Sequence, residues 1–186
     1  MPPDPPASAA MPADRPALLR VAAMPAVTGL AVPSQFYCVT AMPVRIAGMS
    51  YPSAATPWSD IGKLGFRHVI CLTEAQPRYT PSPLRLAYAT ALQDLVSGDS
   101  PVDPDKEERL IREAVAAARD QVLRREGIVI HCAGGTGRTG TVIGCLLRTL
   151  GYDGEDIIAY LRTLNQARGR HGWPEAAWQG ELVRRF

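Results

Sequence analysis

Long apolar runs are missing from this 186-residue chain: no stretch approaches the roughly 20 residues needed to cross a bilayer. Strong charge of either sign is missing too, and a formal balance of +2 is too small to argue for nucleic acid or an anionic membrane surface. Histidine is scarce, with three scattered copies, and the four cysteines, Cys38, Cys71, Cys132 and Cys145, lack the spacing of zinc ligands. The expectation is a chain with no metal, no cofactor, no nucleic-acid partner and no membrane partner. Such cysteine usage fits a reducing cytoplasm. The first 24 residues are rich in Pro and Ala and lack the charged start and continuous apolar centre of a secretion signal. They read as a flexible tail over 1–24, leaving one compact domain over 25–186. Its core is well supplied, since 46% of the residues are hydrophobic.

Short apolar runs alternate with helical patterns, which predicts a single α/β domain: a central, mostly parallel sheet flanked by helices. Strands are expected over 36–40 and 44–47, turning near Pro43, then over 67–73, 86–92 and 127–130. Thr56 and Pro57 read as the start of a short helix ending at Gly65. The clearest helix covers 103–126, where Leu110, Ile111, Ala114, Val115, Ala118 and Val122 share a face, with Asp103 as its cap. Asp105, Glu107 and Glu108 complement the dipole of its first turn and read as a solvated helix start. Further helices are expected over 139–150 and along the stripe Ile157, Ile158, Leu161 and Leu164.

Residues 131–140, HCAGGTGRTG, lie between the end of a strand and the start of a helix. Helix N-termini expose unpaired N–H groups and the positive end of the peptide dipole, and both attract phosphate. Gly134, Gly135 and Gly137, with Ala133 and Thr136, let the loop curl round an anion. The same field favours thiolate at Cys132. Arg138 supplies a planar fork for two phosphate oxygens, which a lysine would meet only as a point charge. A Gly-rich turn after a strand also binds nucleotides, but the Lys followed by Ser or Thr of a Walker loop is absent here.

HCAGGTGRTG resembles the signature loop of the cysteine-based protein tyrosine and dual-specificity phosphatases. The resemblance implies a phosphocysteine intermediate on Cys132, phosphate binding by Arg138 and the loop 133–137, and stabilisation of the departing thiolate by Thr139. His131 would orient the loop and support the thiolate. Ala47, Gly48 and Pro52, the run HVICLTE at 68–74, and Trp173, Pro174, Glu175 and Gln179 resemble further parts of the small, kinase-associated dual-specificity group. Cys71 resembles the position from which some relatives supply a second cysteine, so that a reversible bond to Cys132 and an inert buried thiol are both open.

The relatives also carry an Asp proton donor on a loop before the long helix. Asp94 follows the Ala91 and Leu92 pair as that aspartate does, although the spacing to Cys132 is longer; Asp99 is the competitor, or else only a turn residue. Gln179 reads either as a group that positions water or as a surface or capping side chain, and Arg170 as a solvated side chain or a contact to the substrate or the loop. Tyr51, Trp58 and Tyr79 are candidate walls of a pocket entrance. The loop interior carries no basic side chain, which favours phosphotyrosine in a protein or peptide, with phosphoserine and phosphothreonine also open. Hydrolysis of a non-protein phosphomonoester, or phosphate recognition without turnover, are the alternatives.

Overall fold

The computed structural model describes residues 15–186. Its centre is a five-stranded sheet in the order β1-β2-β5-β3-β4, formed by β1 (Phe36–Cys38), β2 (Ile46–Met49), β3 (Phe66–Cys71), β4 (Arg85–Ala89) and β5 (Gly127–His131). Only β1 runs antiparallel, as the hairpin partner of β2; the other neighbours are all parallel. The apolar run of β5 has no polar alternation because the strand is central and covered on both faces. Ile128 and Ile130 face one core and Val129 the other.

One face is covered by α1 (Trp58–Lys63), and the other by α2 (Pro104–Leu123), α3 (Gly137–Thr149), α4 (Gly154–Ala167) and α5 (Ala177–Arg185). The stripe Ile111, Ala114, Val115, Ala118 and Val122 is buried as its spacing predicts, and Asp103 caps α2 by accepting a hydrogen bond from the N–H of Lys106. The first turn of α2 is less solvated than expected, because Glu107 is buried. Before α1, the Thr56 hydroxyl accepts from the N–H of Ser53 and does not cap the helix; Pro57 occupies the cap position. The helix α5 was not among the sequence expectations. No helix among the described residues is long and apolar enough to cross a membrane.

Part of the segment expected as a tail is packed. The N–H of Leu19 bonds the carbonyl of Val39, the N–H of Ala41 bonds Ala17, and the hydroxyls of Tyr152 and Tyr160 hold the carbonyls of Pro16 and Leu19. Leu18, Val21 and Met24 rest against the core, so the ordered chain starts ahead of residue 25. The remainder of the expected tail, 1–14, lies outside the described residues.

Parallel strands place their C-terminal ends on one edge of the sheet, where open α/β sheets form their sites. At the end of β5, His131 pairs in register with Met49 of β2 and Cys71 of β3. Residues following all three strands converge there.

Candidate active site

Residues 132–136 form the turn between β5 and α3, and the helix starts at Gly137, two residues earlier than the sequence pattern suggested. Arg138 and Thr139 therefore belong to its first turn, where N–H groups lack helical partners. Gly135 adopts φ +69°, and a Cβ there would press within 2.6 Å of the Met49 backbone, so the turn requires glycine twice over. Cys132 is buried at the start of the turn. Burial pushes the Cys38 thiol up to about 12 and raises Cys145 as well, which leaves both inert. Cys71 lies at the end of β3, its sulfur 3.3 Å from the Thr73 hydroxyl, and all four cysteines are free.

A buried arginine from the end of α4 shapes the turn from behind. Arg168 donates to the carbonyls of Pro33 (3.0 Å), Ser34 (3.2 Å), Gly134 (3.2 Å) and Gly135 (2.8 Å), and to the Asn165 side chain at 2.5 Å. Its guanidinium lies over an aromatic face, 4.1 Å from the centre of the Tyr37 ring. The Tyr37 hydroxyl donates to the Gly135 carbonyl at 2.7 Å. With these carbonyls pulled backward, the N–H groups of the same peptides turn to the opposite side, which is what an anion nest needs. Arg168 also places a buried cation near Cys132. The loop contact that was one of the readings of Arg170 is made by Arg168, whose signal was only its position at a helix end. The Trp173 indole closes the bracing by donating to the Gly137 carbonyl at 3.2 Å.

His131 is buried under the turn, and its Nε2 lies 2.5 Å from the Tyr79 hydroxyl. Burial lowers its pKa to about 4, so the ring is neutral near pH 7 and acts on the loop through packing and hydrogen bonding. Tyr51, Trp58 and Tyr79 do assemble: Tyr79 stacks on Trp58 and meets Tyr51 edge-on, each at 5.8 Å between ring centres. They wall a cavity of about 670 Å³ that also includes Glu74 and Arg78.

The acidic candidates separate by geometry. Asp94 is 66% exposed, with its carboxylate 3.0 Å from Arg138. Buried Leu92 and Leu95 anchor the chain around it, and the N–H of Gln93 is held by Glu107 at 2.9 Å. Asp99 instead accepts from the N–H of Val96 at 2.9 Å and closes its own turn. Glu107, behind the loop, has its pKa raised by burial, against the pull of the Gln93 N–H and of Arg138. Glu175 is a carboxylate at the site whose role the sequence did not assign. It lies so close over Gly137 that any Cβ there would collide with it. Burial and then the nearby Asp94 raise its pKa, while the Gly137 backbone and Arg138 oppose the rise. Gln179 is a cap, its Oε1 accepting from the N–H groups of Glu175 (2.9 Å) and Ala176 (3.1 Å).

Residues 35–173, which include the whole of this loop and sheet, match the model of the Swiss Army Knife protein, DSP-PTPase phosphatase domain. The chain belongs to this family. Solved structures agree on the fold. The human tyrosine phosphatase-like serine/threonine/tyrosine-interacting protein aligns with a TM-score of 0.57 at 16% identity, over 75% of this chain and 89% of its own. The active form of Tk-PTP gives 0.52 at 20% identity, over 76% and 89%. The catalytic domain of the PP-IP phosphatase SIW14 from S. cerevisiae gives 0.51 at 18%, over 76% and 80%.

In the DSP-PTPase domain two buried polar atoms in the first turn of α3 stand without a hydrogen-bond partner among the described residues, Nε of Arg138 and Oγ1 of Thr139. No group of three or more His, Cys, Asp or Glu that would hold a metal occurs among the described residues. The site brings together a thiol, a guanidinium, backbone N–H groups and carboxylates.

Proposed function

We propose that this phosphatase domain hydrolyses phosphotyrosine in proteins or peptides, with phosphoserine and phosphothreonine as further substrates, through a phosphocysteine intermediate. The observation that carries the reading is the set of unpartnered buried polar atoms beside Cys132. A bound phosphate supplies the acceptors that Nε of Arg138 lacks, and a thiolate on Cys132 the acceptor for the Thr139 hydroxyl. The aromatic walls of Tyr51, Trp58 and Tyr79 suit a phenyl ring beside the loop.

In the first step the Cys132 thiolate attacks phosphorus, the S–P bond forms, and the P–O bond to the leaving group breaks. Asp94 gives its proton to the leaving oxygen, while Arg138 and the N–H groups of 133–138 hold the three remaining oxygens. In the second step water attacks phosphorus, Asp94 takes its proton, and the S–P bond breaks to return the thiolate, steadied by the Thr139 hydroxyl. The ion pair with Arg138 keeps Asp94 at the mouth of the loop until a phosphate takes its place on the guanidinium and Asp94 takes up from solvent the proton that it then donates.

The test is hydrolysis of an activated aryl phosphate by the purified chain in the presence of chelator. Phosphate release with trapping of a phosphorylated Cys132 supports the reading. Saturable phosphopeptide binding with no release would make the domain a recognition module instead.

A further inference from the structure

Beside the Asp94 loop lies a second cavity, of about 620 Å³, in the size range of small-molecule sites. Val96 and Ser97 of that loop form one wall; Arg162, Arg170, His171 and the Trp173–Glu175 turn form the rest. The side chains of Arg162, Arg170 and His171 make no ion pair or hydrogen bond among the described residues. Arg170 does act at a distance, drawing the Glu175 carboxyl down and pressing on the Arg168 charge. Two permanent cations and a histidine thus gather in one concave surface with a single carboxylate, Glu175, which the Gly137 N–H and Arg138 already engage.

We propose that this cleft is a second anion subsite, and that the preferred substrate carries a further phosphate on its leaving group. The inference rests on the phosphatase reading above and deepens it. Asp94 must face the oxygen that departs, so the leaving group passes out along the Asp94 loop, and Val96 and Ser97 of that loop border the cleft. An anionic group on it meets Arg170 and Arg162 there, and the planar fork of each can hold two oxygens of a phosphate. The loop interior, free of lysine, fixes only the scissile phosphate. Discrimination between substrates then falls to the cleft.

The test uses the full chain carrying Cys132→Ser, titrated calorimetrically with two aryl phosphonates that differ only in a second phosphonate across the ring. The bisphosphonate is expected to bind about tenfold tighter at low salt, the value of roughly one charge-assisted contact. That ratio should shrink as salt rises and fall to within about twofold when Arg162→Gln and Arg170→Gln are added. Equal affinity for the two ligands, or a preference that survives the paired substitution, overturns the subsite and leaves the phosphatase reading intact. Failure of both phosphonates to bind refutes the phosphate cradle itself and the subsite with it. Turnover of a doubly phosphorylated peptide against a free aryl bisphosphate by the unsubstituted chain then identifies which source of the second phosphate is preferred.

Discussion

Replacing Arg168 by methionine tests the idea that the signature loop is shaped from behind. Methionine keeps most of the apolar stem but removes the donors that now reach four backbone carbonyls, two of them in the loop. Each charged hydrogen bond is worth about 1.5–3 kcal/mol when lost singly, but the four share one side chain and do not add. The Gly135 carbonyl keeps the Tyr37 hydroxyl at 2.7 Å, which limits the damage there. A net loss of roughly 3–5 kcal/mol is expected, the usual cost of breaking a buried charged network. For a domain of this length that lowers Tm by roughly 6–20 °C. At a temperature where the variant is folded, kcat/KM on an activated aryl phosphate should fall about 100-fold, because loop N–H groups misplaced by an ångström lose transition-state contacts. Alkylation of Cys132 should also slow, since a buried cation near its sulfur is gone. Arg168→Lys separates the two effects: the charge returns and with it much of the alkylation rate, whereas the fork and the turnover do not. Unchanged alkylation and turnover in folded Arg168→Met would show that Arg168 only fastens the fold and that the loop holds its shape unaided.

Three further expectations concern the chemistry and the pH response. Cys132→Ser should abolish turnover while keeping phosphate binding, and Arg138→Lys should lose most of both, as measured by phosphate release and calorimetry. Asp94→Asn should slow an unactivated aryl or alkyl phosphate by about 10²–10⁴-fold yet affect an activated ester far less, with Asp99→Asn nearly silent; the reverse pattern would move the acid to Asp99. His131 has a folded pKa of about 4 against 6.5 for the free group, so the unfolded chain takes up its proton first as the pH falls. Stability from this residue is complete above pH 6.5 and is lost on descending to about pH 4, by as much as about 3 kcal/mol. His131→Gln should flatten that part of the denaturation profile, and an unaltered slope would exclude His131 as its source.

The sequence alone determined what depends on neighbours along the chain. The order Cys132, glycines, Arg138 at a strand-to-helix turn sets a phosphate-binding reading because the geometry of one turn is local. The helical stripe on α2 and the central, uninterrupted apolar strand β5 were legible for the same reason, since periodicity records which faces are buried. Groups that act from a distance left no such record. Arg168 comes from 33 positions beyond Gly135, and Tyr37 from 98 before it, so their convergence on one carbonyl follows only from the docking of α4 and β1 around the sheet edge. Residues 15–24 were read as part of a tail because the first 24 residues are rich in Pro and Ala, yet residues 15–24 pack through partners such as Tyr152 and Tyr160 far along the chain. The two carboxylates at the site divide along the same line. Asp94 was named from its place after a strand, while Glu175 was given no role, because only folding carries the 173–175 turn over Gly137, where burial and the charge of Asp94 alter its ionisation. Local order marked the candidate reacting groups; the packing of distant segments fixed their environment, because desolvation and charge act through space and not along the chain.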